Sequence, residues 1–340
     1  MADATPAPRL LVVGPSWVGD MVMAQSLFIT LKQRHPGARL GVLAPGWSLP
    51  ILERMPEVDE AIALDVGHGE FSWRTRRDVA RSLKGRFERA IVLPRSWKSA
   101  LVPFLARIPE RVGFTGEQRV VLLTERRRLD KARLDQTVKR FVSLGLDAGE
   151  AEGEFAIPAP QLRTDPANQQ RLRECLALES DRPVIGMMPG AEYGPAKQWP
   201  LTHFRELAET LGRHGYRVWV LGGPKDAEDG EVIAGGLDHV VNLCGRTQLA
   251  DAVDLLAACE QVVTNDSGLM HVAAAVGTRI QAIYGSSSPA YTPPLTANAA
   301  IHDLALDCSP CFQRVCPLGH THCLHHILPD HLLRAIETRD

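Results

Sequence analysis

Nowhere among the 340 residues is there a run approaching the ~18 consecutive apolar residues that a bilayer-spanning helix needs. The opening stretch, Met1-Ala2-Asp3-Ala4-Thr5-Pro6-Ala7-Pro8, has neither the basic nor the apolar region of a secretory signal. Both absences lead to the expectation of a soluble, cytoplasmic protein without a transmembrane segment. Charge of one sign is not in overall excess, since 38 Lys and Arg face 40 Asp and Glu. Aromatic residues make up only 6% and are rarely interleaved with cations, and no nucleic-acid module signature appears, so nucleic acid is not an expected partner. No tandem repeat of solenoid period is present. What the chain does have is 45% hydrophobic and 23% charged residues, a globular composition that excludes disorder. At about 150 residues per domain, the length suggests two domains.

The near-neutral total conceals an asymmetry. Residues 1–150 carry 24 Lys and Arg against 17 Asp and Glu, whereas residues 151–340 carry 14 against 23. Cations cluster at Arg74, Arg76, Arg77, Arg81, Lys84 and Arg86, and again between Arg126 and Arg140. Any one such stretch reads as a solvated helix face. A whole half of positive sign points further, to an anionic small molecule or a membrane surface.

Short β-branched runs alternate with amphipathic stretches throughout. Strands are expected at Arg9–Val13, Leu40–Leu43, Ala61–Leu64 and Ala90–Leu93, with helices near Val22–Arg34, Trp73–Lys84 and Ala100–Ile108. A Gly- and Pro-rich segment from Gly149 to Pro166 reads as a linker. The rhythm then restarts with a helix from Ala167 to Leu178. Further strands are expected at Val184–Met188, Tyr216–Leu221, Val262–Thr264 and Ile280–Tyr284. Apolar strands alternating with helices predict an α/β fold with two doubly wound parallel sheets and a cleft between them.

Three motifs carry chemistry. Gly14-Pro15-Ser16-Trp17-Val18-Gly19-Asp20-Met21 follows the first strand with the spacing of a phosphate-binding P-loop. Asp20 stands where that motif requires Lys, and Met21 where it requires Ser or Thr. A carboxylate there repels phosphate, and the dinucleotide pattern of three glycines is also missing, so ATPase and simple NAD readings fail. What remains is a carboxylate at the crevice, either a general base or a helix N-cap. In the second motif, Pro189 to Pro200, Lys197 supplies a point charge suited to phosphate, unless it is simply a solvated loop lysine. The third, Thr264-Asn265-Asp266-Ser267-Gly268-Leu269-Met270-His271, opens a helix whose first amides suit a diphosphate. Asp266 or Ser267 would cap it, and His271 is either catalytic or a structural hydrogen-bonding group. Gly285-Ser286-Ser287-Ser288-Pro289 follows the next strand and is placed to line the same cleft. Asp226 and Thr247 also follow strands of this half and read as ribose and adenine-edge contacts.

Together these motifs resemble the heptosyltransferases of glycosyltransferase family 9, which build the lipopolysaccharide core. The resemblance runs from Leu11 to about Pro294, and the loop from Gly190 to Pro200 points to type II within that family. It implies a GT-B fold of two Rossmann-like domains, residues 1–160 binding the acceptor and 161–325 the ADP-sugar, with a C-terminal helix in 326–340 packing back on the first. It further implies inverting, metal-independent transfer of heptose from ADP-L-glycero-β-D-manno-heptose to the first heptose of the inner core, heptosyl-Kdo2-lipid A. No cofactor is required, and the acceptor is an anionic glycolipid at the inner face of the cytoplasmic membrane, where the enzyme would associate peripherally. By resemblance Asp20 is the general base, Lys197 contacts phosphate, and Asp266, Ser267 and Gly268 cradle the pyrophosphate beside His271. The basic first half then has a role, with Ser16, Trp17, Arg74, Arg76, Arg77, Arg95 and Lys98 expected at the acceptor. Alternatives are a type I or III enzyme, a two-domain sugar-nucleotide epimerase, and a non-catalytic sugar-nucleotide binder, against which the pairing of Asp20 with Lys197 counts.

Cys308, Cys311, Cys316 and Cys323 stand apart from this chemistry. With His320, His322, His325 and His326 around them they suit a structural thiolate metal site, zinc first and an iron–sulfur centre second. The alternative is four reduced cysteines in a loop, disulfides being foreign to the cytoplasm. Cys175, Cys244 and Cys259 lie in apolar patterns and are expected in the core.

Overall fold

The computed structural model describes residues 7–67, 70–178 and 181–338, and divides into two units after Pro160. In the first, strands β1 (Arg9–Val13), β2 (Arg39–Ala44), β3 (Glu60–Ala63), β4 (Arg89–Val92), β5 (Glu110–Phe114) and β6 (Glu125–Arg127) form a parallel sheet in the order β3-β2-β1-β4-β5-β6. The second has β7 (Val184–Met188), β8 (Arg217–Val220), β9 (Val240–Asn242), β10 (Gln261–Asn265), β11 (Arg279–Ile283) and β12 (Ala299–His302) in the order β12-β11-β10-β7-β8-β9. Read from the first strand of each unit, the two orders are the same doubly wound arrangement. The central strands are buried on both faces, and β7 and β10 have no exposed residue. Their nearly unbroken apolar sequences follow from that burial.

Sequence analysis passed over β5, β6, β9 and β12. Three of these are sheet edges, and β6 reads Glu-Arg-Arg. Edge strands of three or four residues are too short to leave an apolar run that marks a strand, and in β6 the charges also keep the unpaired edge hydrated.

The helix Val18–Arg34 is buried continuously from Met21 to Phe28 and packs against the helix Thr137–Gly145. Gly145 permits that contact, since a Cβ there would collide with Leu27. The expected linker begins as a short helix, Ala148–Glu152, closed by an Asp147–Glu150 capping box. In the second unit Trp199, Phe204, Leu207 and Leu211 pack with Leu324, Leu332 and Ile336. Each such buried side chain contributes about 1.5–3 kcal/mol. The last two belong to the C-terminal helix Pro329–Glu337, whose apolar face is therefore part of the second unit's own core. Cys244 and Cys259 are buried as expected, but Cys175 is exposed at the end of the helix Pro166–Cys175.

Candidate active site

Doubly wound sheets bind ligands beyond the carboxyl ends of their strands, where the strand order reverses. In the second unit this point lies between β7 and β10, and the loops 189–200 and 265–268 emerge there side by side. Asn265, the buried last residue of β10, joins them. Its Oδ1 accepts the Trp199 backbone N–H at 2.9 Å, and its Nδ2 donates to the Pro189 carbonyl at 2.6 Å. Trp199 is itself fixed, its indole N–H donating to the Ile327 carbonyl at 2.8 Å.

Lys197, two residues before that anchor, pairs with Asp266 at 2.5 Å, and both side chains are largely buried. Sequence reasoning left the cap of the next helix, Gly268–Ala275, open between Asp266 and Ser267. Ser267 is the cap, its hydroxyl accepting the Met270 N–H at 3.4 Å. Asp266 is thereby left for the ion pair. His271 is buried in the first turn, and burial lowers its pKa to about 4, with Asp266 opposing and Lys197 assisting. It is therefore neutral at physiological pH and holds no proton to give as an imidazolium.

Beyond β11, the hydroxyls of Ser286 and Ser287 are buried with no hydrogen-bond partner. An unsatisfied buried hydroxyl costs about 1–3 kcal/mol, a cost that a bound polar ligand removes. Asp226, in the turn after β8, accepts the Gly223 N–H at 2.7 Å. A Cβ on Gly190 would lie 2.7 Å from its Oδ1, so only glycine lets the loop after β7 approach this carboxylate. Burial raises the Asp226 pKa, and Glu192 and Asp229 add to the shift. Thr247 is half-buried in the turn after β9.

In the first unit the strand order reverses between β1 and β4. Asp20 is the third residue of the helix Val18–Arg34 and is half-buried; the cap position is Trp17, whose side chain makes no capping bond. The N-cap reading of Asp20 is thus corrected. Ser16 and Trp17 are exposed, and the Ser16 carbonyl accepts the Trp47 indole N–H at 3.3 Å.

The loop after β4, which carries Arg95 and Lys98, is held from behind by Arg119, a residue that sequence reasoning did not single out. Arg119 is fully buried and donates to the carbonyls of Phe114 at 2.6 Å, Pro94 at 2.5 Å and Ser96 at 3.3 Å. Burial lowers its pKa to about 10, with Arg95 adding to the shift. Arg76, expected at the acceptor surface, is buried too. It donates to the Phe71 carbonyl at 2.7 Å and the Lys98 carbonyl at 3.2 Å, so its guanidinium ties two loops together. Arg74, Arg77 and Arg95 are exposed, and Lys98 is half-buried. Part of the positive excess of this half is therefore internal: Arg127 likewise donates to the Leu146 carbonyl at 2.6 Å and Arg111 to the Leu122 carbonyl at 2.8 Å.

Among the described residues no three His, Cys, Asp or Glu side chains converge as ligands, so the zinc expectation for Cys308, Cys311, Cys316 and Cys323 is not met. The Cys316 thiol is instead turned onto backbone N–H groups, that of Thr321 foremost, which lower its pKa. Burial raises that of Cys323, with the neighbouring thiols adding to it. His320, His322 and His326 stack on one another at 3.9 and 4.5 Å. A cavity of about 610 Å³, lined by Cys259, Thr278, Arg279 and Asn298, lies at the amino ends of β10–β12, the opposite edge from the site.

Comparison with known proteins shows the family. The description Glycosyltransferase family 9 (heptosyltransferase) matches residues 76–322. The lipopolysaccharide heptosyltransferase 2 of Salmonella typhimurium is 48% identical over 303 residues, 86% of this chain and 87% of that one. The lipooligosaccharide heptosyltransferase 2 of Haemophilus influenzae is 46% identical over 304 residues, covering 86% and 88%. The solved structure of the Escherichia coli ADP-heptose lipopolysaccharide heptosyltransferase II superposes with a TM-score of 0.86 at 43% identity, covering 96% of this chain and 97% of that one. With two doubly wound units and these relatives, the chain belongs to glycosyltransferase family 9, the heptosyltransferases.

Proposed function

We propose that the protein transfers heptose from ADP-L-glycero-β-D-manno-heptose to the first heptose of the lipopolysaccharide inner core, heptosyl-Kdo2-lipid A, with inversion and without a metal. The observation that carries this reading is the Lys197–Asp266 pair at the start of the helix Gly268–Ala275, beside the unpartnered hydroxyls of Ser286 and Ser287. A cation, helix-terminal N–H groups and free hydroxyls together suit a diphosphate.

In the reaction Asp20 takes the proton from the acceptor hydroxyl as its oxygen bonds to the anomeric carbon. The bond from that carbon to the diphosphate oxygen breaks on the opposite face, which inverts the centre. ADP leaves with the electron pair, and Lys197 with the N–H groups near Ser267 and Gly268 stabilises the charge that develops. Because fixed protein groups supply that stabilisation, the reading assigns no cofactor. Asp226 contacts the ribose hydroxyls, Thr247 the adenine edge, and neutral His271 orients the Asp266 side of the cradle.

Ser16, Trp17, Arg74, Arg77, Arg95 and Lys98 meet the phosphorylated acceptor. The exposed rings of Phe71, Trp73 and Trp97, with centroids 5.0–6.2 Å apart, give sugars a stacking surface beside these cations. The lipid tail of the acceptor remains in the cytoplasmic membrane, which the enzyme meets peripherally. Among the described residues no helix is long and apolar enough to cross a membrane.

The test is incubation with ADP-heptose and a panel of truncated core glycolipids, with and without EDTA, followed by mass spectrometry. A gain of one heptose on the mono-heptosylated acceptor, unchanged by EDTA, is expected. Transfer to the acceptor that lacks heptose would favour the type I reading. Consumption of ADP-heptose without any acceptor would favour the epimerase.

A further inference from the structure

We propose that Arg314 is a second cation for the diphosphate of the sugar nucleotide, delivered to the Lys197 loop by the cysteine-rich segment. The inference rests on the reading of the second unit as the ADP-heptose site.

Lys197 does not face a diphosphate as a free charge. Its ammonium is paired with Asp266 at 2.5 Å, and the two side chains are only 17% and 6% exposed. The pair is close to neutral, and its carboxylate opposes an incoming anion. Since the diphosphate gains charge as the sugar leaves, an uncompensated positive group nearby would add to what Lys197 and the helix-terminal N–H groups supply.

The segment that follows β12 provides one. It is fastened to the loop 189–200 and to the loop after β11 by four hydrogen bonds. The Tyr193 hydroxyl donates to the Phe312 carbonyl at 2.7 Å and the Ala196 N–H to the Arg314 carbonyl at 3.1 Å. On the other side, the Ser309 hydroxyl donates to the Gly285 carbonyl at 2.5 Å, and the Phe312 N–H donates to the Ser286 carbonyl at 2.6 Å. Gly194 makes this docking possible. Its φ is +150°, and a Cβ there would lie 2.5 Å from the Arg314 carbonyl oxygen.

So docked, the Arg314 guanidinium lies 5.2 Å from the Tyr193 ring centroid, and the Lys197 ammonium lies 5.1 Å from the same centroid. The two cations share one ring and are at most about 10 Å apart, both within the favourable range for cation–π attraction. Arg314 is exposed, and no carboxylate of the described residues pairs with it. Its charge is thus uncompensated where that of Lys197 is not. A guanidinium also presents the planar fork that matches phosphate oxygens. The same docking holds the segment, through Phe312, against the loop bearing the unpartnered Ser286 and Ser287 hydroxyls.

The test is calorimetric titration of ADP and of AMP into the wild-type protein, Arg314→Gln and Arg314→Lys, with donor and acceptor KM measured alongside. Loss of one charge-assisted contact should weaken ADP binding by about 10- to 100-fold in Arg314→Gln. AMP binding and the acceptor KM should not change, the donor KM should rise, and Arg314→Lys should recover part of the loss. A purely structural role of the side chain would weaken ADP and AMP equally, and that result would overturn the inference. Equal ADP affinity in wild type and Arg314→Gln would overturn it as well, while leaving the nucleotide site in place. A wild-type protein that binds no ADP would instead overturn the nucleotide reading, and this inference with it.

Discussion

The two units have one strand order and differ at the same place, the loops beyond the carboxyl ends of their central strands. In the second unit these loops are cross-braced through buried groups, with Asn265 joined to Trp199 and Pro189, and Lys197 to Asp266. In the first they are open. Trp17, Trp47, Trp73 and Trp97 are each between 42% and 48% exposed, and Arg76 and Arg119 brace the loops only from behind. The difference teaches where preorganisation is worth its stability cost. A small, highly charged ligand is stabilised by groups fixed before it arrives. On the proposed reading, a large amphiphilic acceptor would be met by the broad surface of rings and exposed cations in the first unit.

Removing the brace in the second unit should have the largest effect. Lys197→Ala leaves the Asp266 carboxylate buried without a partner, which costs about 3–5 kcal/mol of stability. Denaturant titration would read that loss, and calorimetry a parallel loss of ADP affinity. Lys197→Met combined with Asp266→Leu should regain the stability without regaining ADP binding. If ADP binding returns with the fold, the pair is structural only.

The corresponding brace in the first unit is Arg119. Arg119→Met leaves the carbonyls of Phe114, Pro94 and Ser96 short of donors and should cost about 3 kcal/mol. The acceptor KM should rise while ADP affinity holds, which would separate the two units functionally.

The buried histidine of the second unit adds a pH dependence. His271 has a pKa of about 4 in the folded chain against an ordinary value near 6.5. Between these values the unfolded state binds the extra proton, so stability falls as pH drops from 6.5 towards 4. At pH 5 the loss from His271 alone should be about 2 kcal/mol relative to pH 7. His302, also lowered to about 4, acts in the same direction. In His271→Gln the slope should flatten in urea titrations; an unchanged slope would assign it to other groups.

The smallest effect belongs to the exposed cations. Neutralising Arg74 and Arg77 together should raise the acceptor KM by a few-fold, because exposed pairs are worth only about 0–1 kcal/mol each. The change should fade as salt rises, since the screening length is about 8 Å at physiological ionic strength. An acceptor KM that stays level at low salt would place acceptor recognition elsewhere.

The central strands and the three loops at the points of reversal could be read from the sequence, because burial on both faces leaves apolar runs and Gly- or Pro-rich breaks. Lys197, Asp266 and Ser267 were legible for the same reason: Asp266 and Ser267 stand directly after such a run, and Lys197 lies in the Gly- and Pro-rich loop that follows one. Arg76 was misread although its pattern was visible. The buried face of the helix Trp73–Leu83 is Arg76, Ala80 and Leu83, a helical stripe that includes the arginine. Treating the helix as uniformly polar hid that position. Arg119 and Arg314 lie in loops without period, and their roles come from carbonyls and a ring distant in sequence. Asn265 stood inside a motif, but nothing local announces that its amide bridges the two ends of another loop.

The division of labour between the units is tested most directly by Asp20→Asn, with kcat and the ADP dissociation constant measured on the same preparation. A base confined to the first unit predicts turnover reduced by about 10²–10⁴ and ADP affinity equal to wild type. Wild-type turnover, or a loss of ADP affinity that matches the loss of rate, would contradict it.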